Sequence, residues 1–324
     1  GSEMCIRDSP GDIAWSKDDS LIFYPARKWN IEAVDTKTSK TKTVALTDIQ
    51  AYEVLLGRDG EFYGTIGVYA NYFVKKANNP ILNGTPSDMV VFKSNRSERV
   101  VESNPIKDGP TAVVSMRTGL SQVWLFYPNG HQSMISDFAN LVSITDLKFS
   151  PDGKSLLALI DQQVWFFDLK GGFWLISSEG EVVKNMTWSS DAKSIYYTTH
   201  LKGRWQVMSY SVILKQPSVP YLDGIDFYLQ SRSGNYQLKR IAASGLFSLI
   251  SKNTEEILPD EMQRLLINES AIVLWDNGVY FSSVNSEQQS QVYFYSYEQR
   301  KIIPLGLKSD LYSSRFSLSY DGQF

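Results

Sequence analysis

Two histidines, one cysteine and a few adjacent carboxylates are the residues of this 324-residue chain that most readily do chemistry. Zinc hydrolysis needs two histidines one helical turn apart with a glutamate between them, but His131 and His200 fall in separate predicted turns. Cys5 stands alone, so thiolate-rich metal sites are excluded by count. No Gly-x-Ser-x-Gly elbow and no phosphate-cradling P-loop occurs. GEFYGTIG (60–67) has glycines, but its alternation marks a strand. Glu255-Glu256 and Asp260-Glu261 lie in a polar stretch and read as solvated surface. The sequence therefore predicts no catalytic residue, no cofactor and no metal site. Recognition is the remaining chemistry, and Trp29, Arg117, His200, Arg204 and Trp205 are the loop side chains best suited to it.

The elements that carry those loops repeat. FSPDGKSLLALIDQQVWFFDLK (149–170) places a Pro-Asp-Gly turn before two short runs rich in leucine, β-branched and aromatic residues. Proline presets φ for the turn, aspartate bonds the backbone beyond it, and glycine accepts positive φ. The runs are too short for stable helices and read as strands. WSKDDSLIFY (15–24) and WSSDAKSIYY (188–197) repeat the start, with Ser190 and Ala192 in place of proline and glycine. LGRDGEFYGT, IKDGPTAVVS and LSYDGQF keep the Asp-Gly pair. Asp18, Asp59, Asp108, Asp152, Asp191, Ser233, Asn277 and Asp321 mark the copies, at intervals of 41, 49, 44, 39, 42, 44 and 44 residues.

A period near 40–45 residues with about four strands per copy is that of a β-propeller blade. The expected fold is all-β: a seven-bladed β-propeller of four-stranded antiparallel blades, with an incomplete eight-bladed ring as the alternative. Residues 1–11 stand outside the repeat and read as a non-native or disordered leader. Residues 12–324 then form one propeller domain, which the mid-repeat end at Phe324 suggests is cut short. PDEMQRLL (259–266) can form two helical turns as a loop decoration. Trp15 and Trp188 occupy the inward position of the first strand and are expected in the core. Connections between second and third strands, among them PARKWN (25–30), SMRTGLS (115–121) and THLKGRW (199–205), should leave on one face and carry recognition.

A net charge of −3 with scattered lysines and arginines gives no electrostatic footprint for nucleic acid. No apolar run approaches the roughly 20 residues of a membrane span.

FSPDGKSLLALI followed by QVWFFDLKGG resembles the PD40 or TolB-type repeat, a relative of the WD40 blade. SMRTGLSQVWLFYPNG (115–130) resembles the middle of that repeat. The segment from GVYFSS to LYSSRFSLSYDGQ (278–323) resembles the end of the propeller in membrane-anchored winged-helix regulators of the CadC/ToxR type. That resemblance implies a periplasmic, non-catalytic sensory or protein-interaction domain. It would bind a protein or small ligand on one face, make no nucleic-acid contact itself, and meet the membrane only through an upstream anchor. The other readings are a TolB-like periplasmic protein-binding module, or the propeller of a prolyl-oligopeptidase-like enzyme without its hydrolase domain. A cytoplasmic location is the alternative to the periplasm.

Overall fold

A computed structural model describes residues 13–26, 30–46, 50–51, 54–57, 61–63, 66–67, 72–85, 87–93, 97–140, 142–252, 254–266, 271–284, 289–309 and 315–323. The leader and Trp29 lie outside them. The fold class is the one the repeat predicts, all-β and propeller-type. Among the described residues six complete four-stranded antiparallel sheets follow in chain order, and the stretch 50–92, between the first and second of them, holds three separate two-stranded pairs. Each complete sheet pairs its strands in sequence order, so every blade is a simple meander.

Contacts divide the chain into two compact units, Gly1–Asn71 and Tyr72–Phe324. The smaller holds blade one (Ala14–Trp15, Leu21–Ala26, Asn30–Asp35, Thr41–Leu46), with a core of Phe23, Ile31, Ala33 and Val54. The larger holds blades three to seven, whose first strands are Glu98–Ser103, Ile144–Phe149, Val183–Trp188, Ile225–Gln230 and Ile272–Trp275.

A turn of one kind occurs in five copies, and in blades one, four, five and six it joins the first and second strands. In blade four the Ser150 hydroxyl donates to Asp152 Oδ1 at 2.6 Å and accepts from the Ser155 amide at 3.0 Å, while the Lys154 amide reaches Asp152 at 3.2 Å. Blade five repeats this with Ser189, Asp191 and Ser194, and blade one with Ser16, Asp18 and Leu21. Ser231 with Ser233 and Ser319 with Asp321 complete the set. Asp18, Asp152, Asp191 and Asp321 are thus turn formers. The fourth turn residue needs positive φ: Gly153 has +67°, whereas Ala192 holds +57° with a Cβ.

Blades pack face to face. Ala112, Val114, Val123 and Leu125 of blade three meet Leu147, Phe149, Leu156 and Ala158 of blade four. Blade four meets blade five through Leu157, Val164 and Phe166 against Met186, Trp188 and Ile195. Blade six meets blade seven through Phe227, Leu238 and Leu249 against Leu274, Val279 and Phe281. Burying one such leucine contributes about 2 kcal/mol. Between blades seven and three lie two distant stretches of sequence. Ile81, Phe316 and Leu318 pack on Tyr280 and Phe294, while Val74 and Phe92 pack on Val113 and Phe126. Asn79 ties the two stretches together: its amide donates to Gln323 Oε1 at 2.7 Å, and its Nδ2 donates to the Gly322 carbonyl at 2.8 Å and Tyr280 Oη at 3.1 Å.

The helix forms at Asp260–Leu265 and is more than decoration. Met262 is fully buried in the blade six–seven core, and Gln263 brackets Phe247 by accepting from its amide at 2.8 Å and donating to its carbonyl at 2.7 Å. Of the two tryptophans expected in the core, Trp188 is buried, its indole donating to the Lys148 carbonyl of the preceding blade at 3.0 Å. Trp15 is instead 52% exposed. Its strand spans only Ala14–Trp15, and no preceding first strand covers it among the described residues of its unit.

Candidate functional site

In an antiparallel meander the first-to-second turn and the second-to-third loop leave opposite ends of the blade. The larger unit therefore has two ends to compare, and a concave feature lies at the turn end. There a cavity of about 80 Å³ is lined by Glu102, Lys148, Phe149, Trp188, Gln230, Arg232, Trp275, Ser317 and Leu318, among others. Each first strand, or the turn that follows it, supplies part of the wall. The segment at Ser317 closes the gap beside blade three, where its hydroxyl accepts from the Ser103 amide at 2.9 Å.

The charges around this cavity are close but loosely matched. Lys148 Nζ stands 3.9 Å from both Glu102 Oε2 and Asp146 Oδ1, and Arg315 Nη1 stands 3.7 Å from Asp146. Arg232 donates from Nη2 to the Leu318 carbonyl at 2.9 Å, and its guanidinium lies 4.9 Å over the Trp275 ring. Burial pushes the Glu102 carboxyl above its ordinary range, outweighing the pull of Lys148 and Arg232. Burial alone would lower Lys148, yet Asp146 and Glu102 outweigh it and hold the ammonium above its usual value. The buried Nη1 of Arg315 and Oε1 of Gln230 have no hydrogen-bond partner.

The loop end is wired differently. Arg117 donates to Ser115 Oγ at 3.0 Å, Gln132 Oε1 at 2.6 Å and the fully buried Glu98 carboxylate at 2.9 Å. Its guanidinium also stacks 4.9 Å from Trp124 and 4.8 Å from Phe126. Every one of these contacts lies within blade three. His200, Arg204 and Trp205 come together on one hairpin of blade five, where His200 and Trp205 are paired with rings 5.2 Å apart. Arg204 is exposed and 4.0 Å from Asp223, and Lys184 lies 5.4 Å over the Trp205 ring. Nearby, Asp226 holds Arg240 through two bonds, at 2.8 and 2.5 Å. Trp29 is outside the described residues.

Glu102, Lys148, Arg232, Trp275 and Arg315 were not singled out by sequence. A signal was present: ITDLKF (144–149) carries Asp146 and Lys148 two apart just before the Pro-Asp-Gly turn, and in a strand that spacing puts both on one face. Among the described residues no cluster of three metal-ligating side chains occurs, and no helix is long and apolar enough to cross a membrane.

Solved structures share this architecture. A TolB-type protein of Agrobacterium tumefaciens superimposes with a TM-score of 0.56 at 15% identity, covering 79% of this chain and 97% of its own. TolB of Acinetobacter baumannii gives 0.55 at 14% identity, covering 90% and 80%. The fold is TolB-like. No protein-family profile matches the sequence, and no curated protein matches it.

Proposed function

We propose that this chain is a non-catalytic, TolB-like protein-interaction propeller that recognises its partner at the turn end of the larger unit. The observation that carries the reading is the cavity itself: first strands of five blades and a distant segment converge there on charges whose hydrogen-bonding capacity the protein leaves largely unused. Rigid strands hold the wall, and the turns that ring it are fixed by their own Ser–Asp bonds, so the surface is preorganised. The likeness of residues 278–323 to CadC/ToxR-type propellers supports the finer form, a periplasmic sensory domain of a membrane-anchored transcriptional regulator.

The test places a photo-crosslinking residue at Lys154, which is exposed in the blade four turn, within the full coding sequence in its own host. The reading expects one identified protein that binds the purified chain and is lost with Trp275→Ala but kept with Arg204→Glu. Crosslinking that depends on Arg204 and ignores Trp275 would overturn it. The regulator context is tested by the upstream coding frame, which should encode a winged helix and one apolar stretch of roughly 20 residues. A secretory signal in their place would refute that context.

A further inference from the structure

We propose that the cavity is a carboxylate-binding site, in which Lys148 and Arg232 clasp the carboxylate of a small, partly apolar acid, free or at the end of a peptide. This deepens the interaction reading by naming the chemistry of the same site, and it stands whether a protein or a free acid carries the group.

Donor capacity is the first argument. An ammonium has three donors, yet the carboxylate oxygens nearest Lys148 are 3.9 Å away, beyond hydrogen-bond reach. Among the described residues Arg232 gives one of its five N–H groups, to Leu318, and the Arg315 Nη1, 3.7 Å from Asp146, has none of its hydrogen bonds made. Folding leaves such groups together at a cost unless something else accepts from them. Water can fill part of the role, but a charged acceptor forms the stronger bonds.

Charge and size select the ligand. Three cations, Lys148, Arg232 and Arg315, surround two carboxylates, Asp146 and Glu102, which leaves one positive charge in excess. A monoanion balances that excess; a phosphate dianion would overshoot it beside Glu102. Planar carboxylate geometry also matches the guanidinium fork. A volume of about 80 Å³ exceeds the roughly 10–15 Å³ that one water needs, so the cavity admits a carboxylate on a short stem. Trp188, Trp275, Leu229 and Leu318 line the rest and suit an apolar stem.

Calorimetric titration of the full chain tests the site with N-acetyl-leucine, N-acetyl-leucinamide, inorganic phosphate and a pentapeptide ending in leucine with a free carboxylate. N-acetyl-leucine should bind, the amide at least tenfold more weakly, and Arg232→Gln should weaken the acid at least tenfold with the circular dichroism spectrum unchanged. Lys148→Met serves as the second variant if Arg232→Gln does not fold. Tighter binding of the pentapeptide than of N-acetyl-leucine points to a protein terminus as the source. Equal binding points to a free acid, which would count against the protein-partner reading while leaving the site intact. Absence of binding by either carboxylate, equal affinity for the amide, or tighter binding of phosphate would each overturn the proposal.

Discussion

Arg117 at the loop end and Lys148 at the turn end are both partly buried cations facing carboxylates, yet the protein treats them in opposite ways. Arg117 spends its guanidinium on three short hydrogen bonds and two aromatic faces. Lys148 is held 3.9 Å from two carboxylates and hydrogen-bonded to neither. A cation whose partners are all its own blade's is framework. One whose partners stand at arm's length around a cavity is available.

The sharpest way to break this contrast is Arg117→Met. Removing the guanidinium leaves Glu98 buried and unpaired, which should cost about 3–5 kcal/mol. Urea unfolding would show it, and Glu98→Gln in the same chain should restore much of the loss. A change under about 1 kcal/mol would mean the loop-end network is not structural.

Glu102→Gln probes the other end through pH. Because the folded Glu102 carboxyl titrates above its unfolded value, its contribution to stability is fully present below the unfolded pKa and is lost as pH rises through the folded one. The variant should therefore match the parent at acid pH and be the more stable of the two at neutral pH. Melting temperatures across that range measure it; a variant less stable at neutral pH would show that the cluster is a well-made ion-pair network.

The smallest effect is expected at Ala192→Gly, a control at the turn end that touches no charge. Relieving positive φ at +57° should stabilise the chain by about 1 kcal/mol. Destabilisation would mean that blade five depends on the alanine methyl.

The turn chemistry was legible in the sequence because it is local: Ser150, Asp152 and Gly153 make their bonds within six residues, and the departure at Ala192 is visible as a missing glycine. The blades followed from the same period. The cavity was not legible, because Glu102, Lys148, Arg232, Trp275 and Ser317 come from five separate stretches and meet only where the strands converge. Arg117 likewise shows its type and place in the sequence but not its partners, which come from five other positions of its blade's strands. Trp15 shows another limit, since the inward position of a strand buries a side chain only where a neighbouring blade covers it.

Indole N–H resonances compare the two ends in one spectrum. On titration with N-acetyl-leucine, the signals of Trp188 and Trp275 at the cavity should shift and saturate together, while those of Trp124 and Trp205 at the loop end stay in place. Movement of Trp205 with Trp188 and Trp275 unchanged would contradict the assignment of recognition to the turn end.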